Sequence, residues 1–474
     1  MKLVVVGGGI AGLACAHRAI ELARGRGLPL ELTLLDARDR LGGTIETERA
    51  GGFLVEAGPD SFLSEKPWAL ALCRRLGVEH RLTRTDDRHR RTFVWFRGGL
   101  HALPEGFQLL APTRLVPFAT SGLFSWTGKA RMALDLILPR RGGRGAAGAP
   151  GADESLGSFV RRRLGREALE RVAQPLVAGI YTADPDDLSL AATMPRFLEL
   201  ERRERSVILG LWRASRRAPA GTSGARWSLF VTFAGGMGEM VDTLAARLPA
   251  GAAQLGRRVG GVEWRGDRWR VDAGGVPVEA DRVVVATEAH AASRLLRYVD
   301  PPLATLLQAI PYASSATVSL GYRRADVPHP LDGFGFVVPR TEGRALLACT
   351  FSSVKYPGRA PEGHVLLRGF VGGALDTAAL ESDDAAIVGR VRDELRAALG
   401  VAAEPVLVRV GRHPASMPQY LVGHGKTVEV IERRLAAAPG LILAGAAYRG
   451  VGIADCVRSG EAAAERALLG AAAE

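Results

Sequence analysis

Lysine, cysteine and long apolar runs are scarce in this sequence of 474 residues. Only five of the 62 basic residues are lysines, so the net charge of +12 reflects arginines spread along the whole chain. No basic helix with interleaved aromatic residues is present, which argues against nucleic acid and leaves anionic lipids or anionic small molecules as partners. No run approaches the roughly 18 apolar residues of a membrane-spanning helix.

Residues that carry out chemistry in a recognisable pattern are equally scarce. The four cysteines are far apart and lack metal-ligand spacing, so we expect buried free thiols and no metal site. No Ser–His–Asp set or pair of acids is evident, and we identify no residue as a catalytic acid, base or nucleophile. The first residues enter a strand without a signal peptide, which favours a cytoplasmic protein.

A glycine-rich turn, Gly7-Gly8-Gly9-Ile10-Ala11-Gly12, separates an apolar strand from a helix near the N-terminus. Gly7 allows a tight turn, Gly9 lets the backbone approach a pyrophosphate, and Gly12 lets the helix pack on the strand. A second apolar strand ends at Asp36, which is suitably spaced to bind a ribose. The pattern predicts a dinucleotide-binding unit.

Three further glycine turns follow, Arg40–Gly43, Gly58–Ser61 and Gly445–Asp455. The last lies between an apolar strand and a helix whose N-terminus would stabilise negative charge on a reduced ring. One dinucleotide turn with additional glycine turns suits FAD better than the shorter NAD. An NAD-binding protein stays as the alternative.

The remaining pattern predicts a mixture of strands and helices. Phe93–Phe96 and Leu100–Leu103 flank a hairpin turn, and residues 317–373 are rich in strands. Strands near residues 258–287 return late in the chain, which suggests that the dinucleotide domain is discontinuous. The apolar spacing from Asp153 onward predicts one helix that runs into Gly179-Ile180-Tyr181.

Pro112–Leu138 has a different character, since short apolar segments alternate with the single basic residues Arg114, Lys129 and Arg131. Exposed apolar helices with basic flanks suit a membrane surface. A helical cap over a pocket explains the same pattern.

Several strings together resemble one family. The four glycine turns resemble the amine-oxidase-like FAD proteins. Pro175–Tyr181, Ser416–His424 and Gly450–Cys456 are similar to the oxygen-dependent protoporphyrinogen/coproporphyrinogen oxidases of haem biosynthesis. The resemblance runs nearly end to end. It implies an α/β fold, with a discontinuous Rossmann-like FAD-binding domain, a mixed-sheet substrate domain and a helical cap or membrane-facing domain.

The resemblance also implies domain boundaries and FAD contacts. The implied FAD-binding domain is residues 1–65, 216–290 and 416–474, the substrate domain 66–111 and 291–415, and the helical cap 112–215. The residues that would hold FAD are Gly7, Gly8, Gly9, Ile10, Ala11, Gly12, Asp36, Arg40, Gly42, Gly43, Gly58, Pro59, Asp60, Ser61, Val259, His413, Val451, Gly452 and Ile453. The family usually has Trp at the position of His413.

The implied reaction is the six-electron oxidation of a porphyrinogen to a porphyrin, with hydride passing to flavin N5 and O₂ giving H₂O₂. Thr92, Asp60 and Lys66 resemble the Gram-positive branch that forms coproporphyrin III from coproporphyrinogen III. Protoporphyrinogen IX oxidase is the alternative. Two interpretations of Lys66 stay open. It binds a propionate of the substrate, or it is a solvated lysine at the surface.

Four apolar positions complete the implied substrate site. Gly179 and Ile180 would form one wall, and Phe334 and Val337 the other, although core packing explains such residues equally well.

Three other readings stay open for the chain as a whole. The first is an FAD amine oxidase, in which Tyr448 would belong to an aromatic cage around the flavin. The other two are a non-catalytic flavoprotein and a porphyrin carrier. The expected partners are the porphyrinogen, O₂, a peripheral membrane contact at the inner face of the membrane, and a downstream ferrochelatase.

Overall fold

The computed structural model describes residues 1–108, 110–140, 153–217 and 229–470. The strands are, in chain order, β1 (Lys2–Val6), β2 (Glu31–Leu35), β3 (Thr47–Ala50), β4 (Phe53–Glu56), β5 (Phe62–Leu63), β6 (Leu82–Arg84), β7 (Thr92–Phe96), β8 (Gly99–Ala102), β9 (Phe107–Gln108), β10 (Ala111–Pro112), β11 (Phe230–Phe233), β12 (Ala253–Gln254), β13 (Val259–Trp264), β14 (Trp269–Ala273), β15 (Val276–Ala280), β16 (Arg282–Val285), β17 (Tyr312–Arg323), β18 (Gly335–Val337), β19 (Leu346–Phe351), β20 (His364–Gly372), β21 (Leu407–Pro418) and β22 (Leu441–Leu443).

The α-helices are α1 (Ile10–Arg26), α2 (Pro67–Arg75), α3 (Leu115–Thr120), α4 (Trp126–Ala133), α5 (Leu156–Arg163), α6 (Arg166–Ala168), α7 (Gln174–Tyr181), α8 (Leu190–Thr193), α9 (Pro195–Glu204), α10 (Val207–Arg217), α11 (Gly238–Ala245), α12 (Ala289–Leu296), α13 (Pro301–Gln308), α14 (Ser352–Lys355), α15 (Asp384–Leu399), α16 (His424–Leu435) and α17 (Ile453–Leu469). None of them, over the described ranges, is both long and apolar enough to cross a membrane.

A five-stranded parallel sheet with the order β12-β2-β1-β16-β22 lies at the centre of the dinucleotide-binding unit. Its strands are almost continuously apolar because helices cover both of its faces. They come from the beginning, the middle and the end of the chain. The glycine turns before α1 and α17 therefore meet at the same edge of the sheet, at the carboxyl ends of β1 and β22, where ligands bind in such folds.

A seven-stranded mixed sheet with the order β21-β17-β20-β19-β18-β7-β8 forms the second layer. All of its pairs are antiparallel except β18 with β7. Phe93 and Trp95 pack with helix α15 on one face, whereas Val94 points to the other face and contacts the helical region. The register places Val94 beside Val337. The strand-rich stretch expected from the sequence is confirmed as one sheet.

The single helix expected from residue 153 to Tyr181 is wrong. Helix α5 ends at Arg163, and Gly165 turns the chain with a φ of +93°. Its N–H group donates to the carbonyl of Val160, which ends α5 as glycine commonly does. Helix α6, a π-helical turn and α7 then follow. The apolar spacing continues on both sides of the turn, so periodicity alone cannot locate it.

The strands near residues 258–287 also divide between two sheets. Only β16 joins the parallel sheet. β13, β14 and β15 form a separate antiparallel sheet, because short turns connect them and neighbouring strands then pair. The hairpin predicted before residue 103 is present as β7 and β8.

Candidate functional site

The first glycine turn brings the backbone of strand β1 against the start of helix α1. A Cβ atom added to Gly12 would lie 1.9 Å from the carbonyl oxygen of Gly7, so only glycine fits there. Gly9 caps α1, and no side chain bonds to the free N–H groups of its first turn. Those groups and the helix dipole are available to a phosphate.

The second glycine turn contacts the first through backbone atoms. The N–H of Gly42 donates to the carbonyl of Gly8 at 2.8 Å, and Gly9 forms a parallel bridge with Gly42. Arg40 closes this turn, because its guanidinium donates to the carbonyls of Gly43 (2.9 Å) and Ile45 (3.1 Å). The two predicted turns are thus adjacent, and Arg40 acts on the protein backbone.

Asp36 lies at the end of β2, directly beside the first turn. Its Oδ2 accepts a 2.6 Å hydrogen bond from the N–H of Gly8. Its carbonyl accepts from the N–H of Arg257, two residues before Val259. The segment that leads into β13 therefore passes next to Asp36, which brings Val259 to the part of the turn where a ribose and adenine are expected.

The loop after β4 is held by an unusual number of donors. The carbonyl oxygen of Ala57 accepts from His413 Nε2 (2.8 Å), Thr317 Oγ1 (3.0 Å) and Arg368 Nη2 (3.2 Å). Arg368 also donates to the carbonyl of Gly58. Burial, with help from the charge of Arg368, lowers the pKa of His413, so its ring is neutral at pH 7. His413 therefore binds this loop as a hydrogen-bond donor.

Asp60 in the same loop is ionised despite its burial. Burial is the largest effect and raises its pKa. The charges of Lys355, which lies 3.1 Å from Oδ2, and of Arg368 outweigh burial and lower the pKa to about 2. The sequence patterns did not predict that Lys355 and Arg368 contact this loop. A charged residue inside the apolar strand β20 was a usable signal, because a buried charge needs partners.

A cleft of about 380 Å³ lies between the glycine turns and the mixed sheet. Three of its lining residues, Arg40, Gly43 and His413, are predicted FAD contacts from distant parts of the chain. Thr44 and Ala57, which are adjacent in sequence to the predicted residues Gly43 and Gly58, also line it. The fold thereby joins segments that are more than 350 residues apart along the chain.

The C-terminal glycine turn leads from β22 into α17. Gly452 caps α17 without a side-chain cap, so Ile453 begins a helix whose N-terminus is open to a ligand. Lys66 reaches this helix, since its Nζ lies 2.5 Å from Oδ2 of the buried Asp455. The structure therefore gives Lys66 a carboxylate partner inside the protein, a contact that its sequence surroundings did not reveal.

The predicted substrate walls lie close to this turn. Val337 and the partly buried Val451 belong to one apolar cluster, together with Leu176 of α7. Gly179 and Ile180 follow on the same helix, and the Ile180 side chain is 43% exposed. Phe334 lies just before β18 and is outside that cluster, so Val337 alone of the four predicted positions belongs to it.

Thr92, which the resemblance implies is a position that differs between the two porphyrinogen oxidases, begins β7. It lies beside Gly335 in the parallel pair with β18, and therefore two residues from Val337 along the same sheet. Its side chain shares the strand face of Val94, which contacts the helical region.

Metal ligands and reactive cysteines are the remaining groups to consider. Among the described residues no cluster of His, Cys, Asp or Glu is arranged to hold a metal ion. All four cysteines are free and buried, and burial raises the pKa of Cys15 and Cys456 to about 12. Both thiols are therefore protonated at pH 7.

Comparison with known proteins identifies the cofactor class. The family model described as flavin containing amine oxidoreductase matches residues 10–468. The chain belongs to this family. The glycine cradle and the two uncapped helix N-termini at one sheet edge fit a long dinucleotide, and FAD is the cofactor. The protein is an oxidoreductase.

Three individual relatives are similar over nearly their whole length. A coproporphyrinogen III oxidase from Bacillus subtilis (strain 168) is 37% identical and covers 98% of this chain and 97% of its own. A protoporphyrinogen oxidase from Bos taurus is 31% identical and covers 98% of both chains. A solved structure provisionally named protoporphyrinogen oxidase, from Exiguobacterium sp. 255-15, has a TM-score of 0.85 at 31% identity and covers 98% of both chains.

The close contact at Gly12 can be tested with alanine. We expect Gly12→Ala to lower FAD occupancy of the purified protein at least about tenfold, because a clash of only ~1.4 kcal/mol has that effect. The flavin-to-protein absorbance ratio measures it. Gly25→Ala is the matched control, since a Cβ there meets nothing within 4 Å. Equal occupancy in both variants would contradict the assigned contact.

The charge on Asp60 gives a pH-dependent prediction. Its pKa is lowered from 3.8 to about 2, so its stabilisation is present above pH 4 and is lost as the pH falls through 2. We expect Asp60→Asn to lower the free energy of unfolding by about 2 kcal/mol at pH 7, and by progressively less below pH 4.

Chemical denaturation at several pH values measures this difference. Asp267→Asn is the control, because the pair of Asp267 with Arg268 is exposed and is expected to contribute only about 0–1 kcal/mol. A deficit for Asp60→Asn that does not change with pH would show that its charge is not the cause.

Proposed function

We propose that this chain oxidises coproporphyrinogen III to coproporphyrin III in haem biosynthesis, with O₂ as the electron acceptor. The observation that carries the proposal is its end-to-end identity of 37% with a coproporphyrinogen III oxidase, against 31% with a protoporphyrinogen oxidase. The absence of a recognisable acid–base set in the sequence agrees with a reaction that depends on the cofactor.

FAD, when bound, supplies the chemistry, which is hydride acceptance at N5 and reaction of the reduced flavin with O₂ to give H₂O₂. The role of the protein is to hold and orient. We propose that FAD is held by Gly7, Gly8, Gly9, Ile10, Ala11, Gly12, Asp36, Arg40, Gly42, Gly43, Gly58, Pro59, Asp60, Ser61, Val259, His413, Val451, Gly452 and Ile453. Support comes from the backbone hydrogen bond between the first two of their four glycine turns and from the uncapped starts of α1 and α17.

We propose that the porphyrinogen lies between α7 and the mixed sheet, against Gly179, Ile180, Phe334 and Val337. The exposed side chain of Ile180 and the apolar cluster around Val337 support this place. Lys66 would bind one of the four propionates of coproporphyrinogen while Asp455 holds its ammonium group near α17.

Protoporphyrinogen IX oxidation is the second candidate, because relatives with that name are also similar over the whole chain. Amine oxidation has less support. Tyr448 packs in the cluster between the parallel sheet and its helices, and so it contributes no aromatic wall on the side of Val337.

Steady-state rates on both porphyrinogens test the proposal. We expect a higher kcat/KM for the tetracarboxylate, and we expect Lys66→Met to reduce it about tenfold for coproporphyrinogen and less for protoporphyrinogen, because a charge-assisted contact contributes about 1.5–3 kcal/mol. Lys426→Met, an exposed lysine on α16, is the control.

Two results would contradict these assignments. A clear preference of the unmodified enzyme for protoporphyrinogen would overturn the proposed substrate. Equal effects of Lys66→Met on both substrates would remove Lys66 from the site and leave it as the structural partner of Asp455.

We propose that the chain divides into an FAD-binding domain (residues 1–65, 216–290 and 416–474), a substrate domain (66–111 and 291–415) and a helical cap (112–215). Sheet membership supports the division, since the parallel sheet draws on the first set and the mixed sheet largely on the second. Residues 141–152 and 218–228 lie outside the described residues.

We also propose a cytoplasmic protein that contacts the inner face of the membrane through the cap. Trp126 (76% exposed), Ile137 (68%) and Val116 present apolar surface there, and Lys129 lies 4.4 Å from the centre of the Trp126 ring. Apolar side chains beside a lysine suit an anionic lipid surface. A ferrochelatase is the proposed downstream partner, because it would use the porphyrin product.

Vesicle binding tests the membrane contact. We expect the double variant Trp126→Ala/Ile137→Ala to bind phosphatidylglycerol-containing vesicles at least about tenfold more weakly, because burial of each large side chain contributes about 1.5–3 kcal/mol. Sedimentation with vesicles measures the partition. Tyr298→Ala removes an equally exposed aromatic side chain outside the cap and should have no effect. Indistinguishable binding by the two variants would refute the contact.

A further inference from the structure

We propose that Tyr420 and His424 are positioning residues that hold the flavin-facing turn, Ala446–Gly450, in place. They lie in Gln419–His424, the segment that leads from the end of β21 to the first residue of α16. The inference rests on the proposed function, because it takes this turn to lead into the residues that contact the isoalloxazine ring. Within the part of the chain that the structure describes, this segment contacts both the turn and the helix proposed as the substrate wall.

Tyr420 closes the two ends of the turn with one hydroxyl group. The side chain is 1% exposed. Its Oη accepts from the N–H of Gly450 at 2.7 Å and donates to the carbonyl of Ala446 at 2.5 Å. Phenylalanine would fill the same space and leave both backbone groups without this partner, which is costly in partly buried surroundings.

His424 holds the middle of the same turn. Its Nε2 lies 3.0 Å from the carbonyl oxygen of Tyr448. Burial is the main cause that lowers the pKa of His424, so the ring is neutral at pH 7 and Nε2–H donates. The ring also stacks on Tyr420, with centroids 4.0 Å apart and planes 9° from parallel. The two stacked side chains therefore contact the same turn at three of its backbone groups.

The segment is itself fastened to the helical region. The backbone carbonyl of Tyr420 accepts from the N–H of Ser189 at 2.7 Å, and the N–H of Gly423 donates to Asp153 Oδ2 at 2.9 Å. Gln419 Nε2 donates to the carbonyl of Tyr181 at 3.0 Å, at the end of α7. The same short segment therefore connects the flavin-facing turn to the helix that carries Ile180.

This arrangement differs from ordinary core packing. Two side chains bind three backbone groups of one five-residue turn, from positions 24, 26 and 30 residues away along the chain. Because the turn precedes Val451 and the N-terminus of α17, its position determines where the N–H groups of that helix lie. A displaced helix N-terminus would stabilise negative charge on the reduced ring less well.

Tyr420→Phe tests the inference on the holoenzyme, with Tyr322→Phe as the control. Tyr322 is equally buried, but it packs in the mixed sheet away from the turn. We expect Tyr420→Phe to weaken FAD binding about tenfold or more. We also expect the variant to lose tenfold more affinity for the reduced flavin than for the oxidised flavin. The two-electron potential of the bound flavin would then fall by about 30 mV.

His424 gives a second measurement. His424→Gln keeps an N–H donor and should retain most of the potential of the parent enzyme, whereas His424→Leu should lower it as Tyr420→Phe does. Retention of the parent potential in both Tyr420→Phe and His424→Leu would overturn the inference. A loss of thermal stability with an unchanged flavin potential would also overturn it, because it would show a packing role only.

The porphyrinogen assay of the parent enzyme separates this inference from the proposed substrate. If the parent oxidises neither porphyrinogen and Tyr420→Phe still lowers the flavin potential, the positioning role stands and the proposed function fails. If the parent is active and Tyr420→Phe matches Tyr322→Phe, the positioning role fails alone.

Discussion

Close approach of backbone to backbone at the carboxyl edge of the parallel sheet is the constraint on which the rest of the site depends. At position 12, the Cβ of any residue other than glycine would collide with the carbonyl oxygen of Gly7. The N–H of Gly42 also donates directly to the backbone carbonyl of Gly8. Such contacts exclude side chains and leave N–H groups for a ligand. The arrangement also requires that segments from both ends of the chain reach the same edge, since β22 pairs with β16 at the border of the sheet and leads into α17.

Side chains from the mixed sheet and from α14 then hold the loops next to these glycine turns. Thr317, Arg368 and His413 converge on one carbonyl oxygen, that of Ala57. Lys355 keeps Asp60 ionised in the same loop. On the other side of the site, Tyr420 binds the ends of the C-terminal turn. The second sheet and the segment after it therefore contribute hydrogen bonds that hold the loop after β4 and the C-terminal glycine turn.

Much of the site was legible in the sequence because its glycine turns are local. Each turn lies between a strand and a helix or another strand, and its residues are adjacent in the chain. The long-range partners could not be read in this way. Lys66 and Asp455 are 389 residues apart, and Arg368 lies 310 residues from the carbonyl that it binds. The break at Gly165 was missed for a different reason, because apolar periodicity continues through it.

The sequence by itself determined the dinucleotide-binding unit, the preference for FAD and the resemblance to porphyrinogen oxidases, since these depend on short motifs with a defined backbone geometry. The tertiary structure alone decided which charges face which loops. It pairs Lys66 with Asp455, assigns His413 to the carbonyl of Ala57, and connects the turn Ala446–Gly450 to α7 through Gln419–His424. These contacts join residues that only folding brings together, so spacing along the chain carries no information about them.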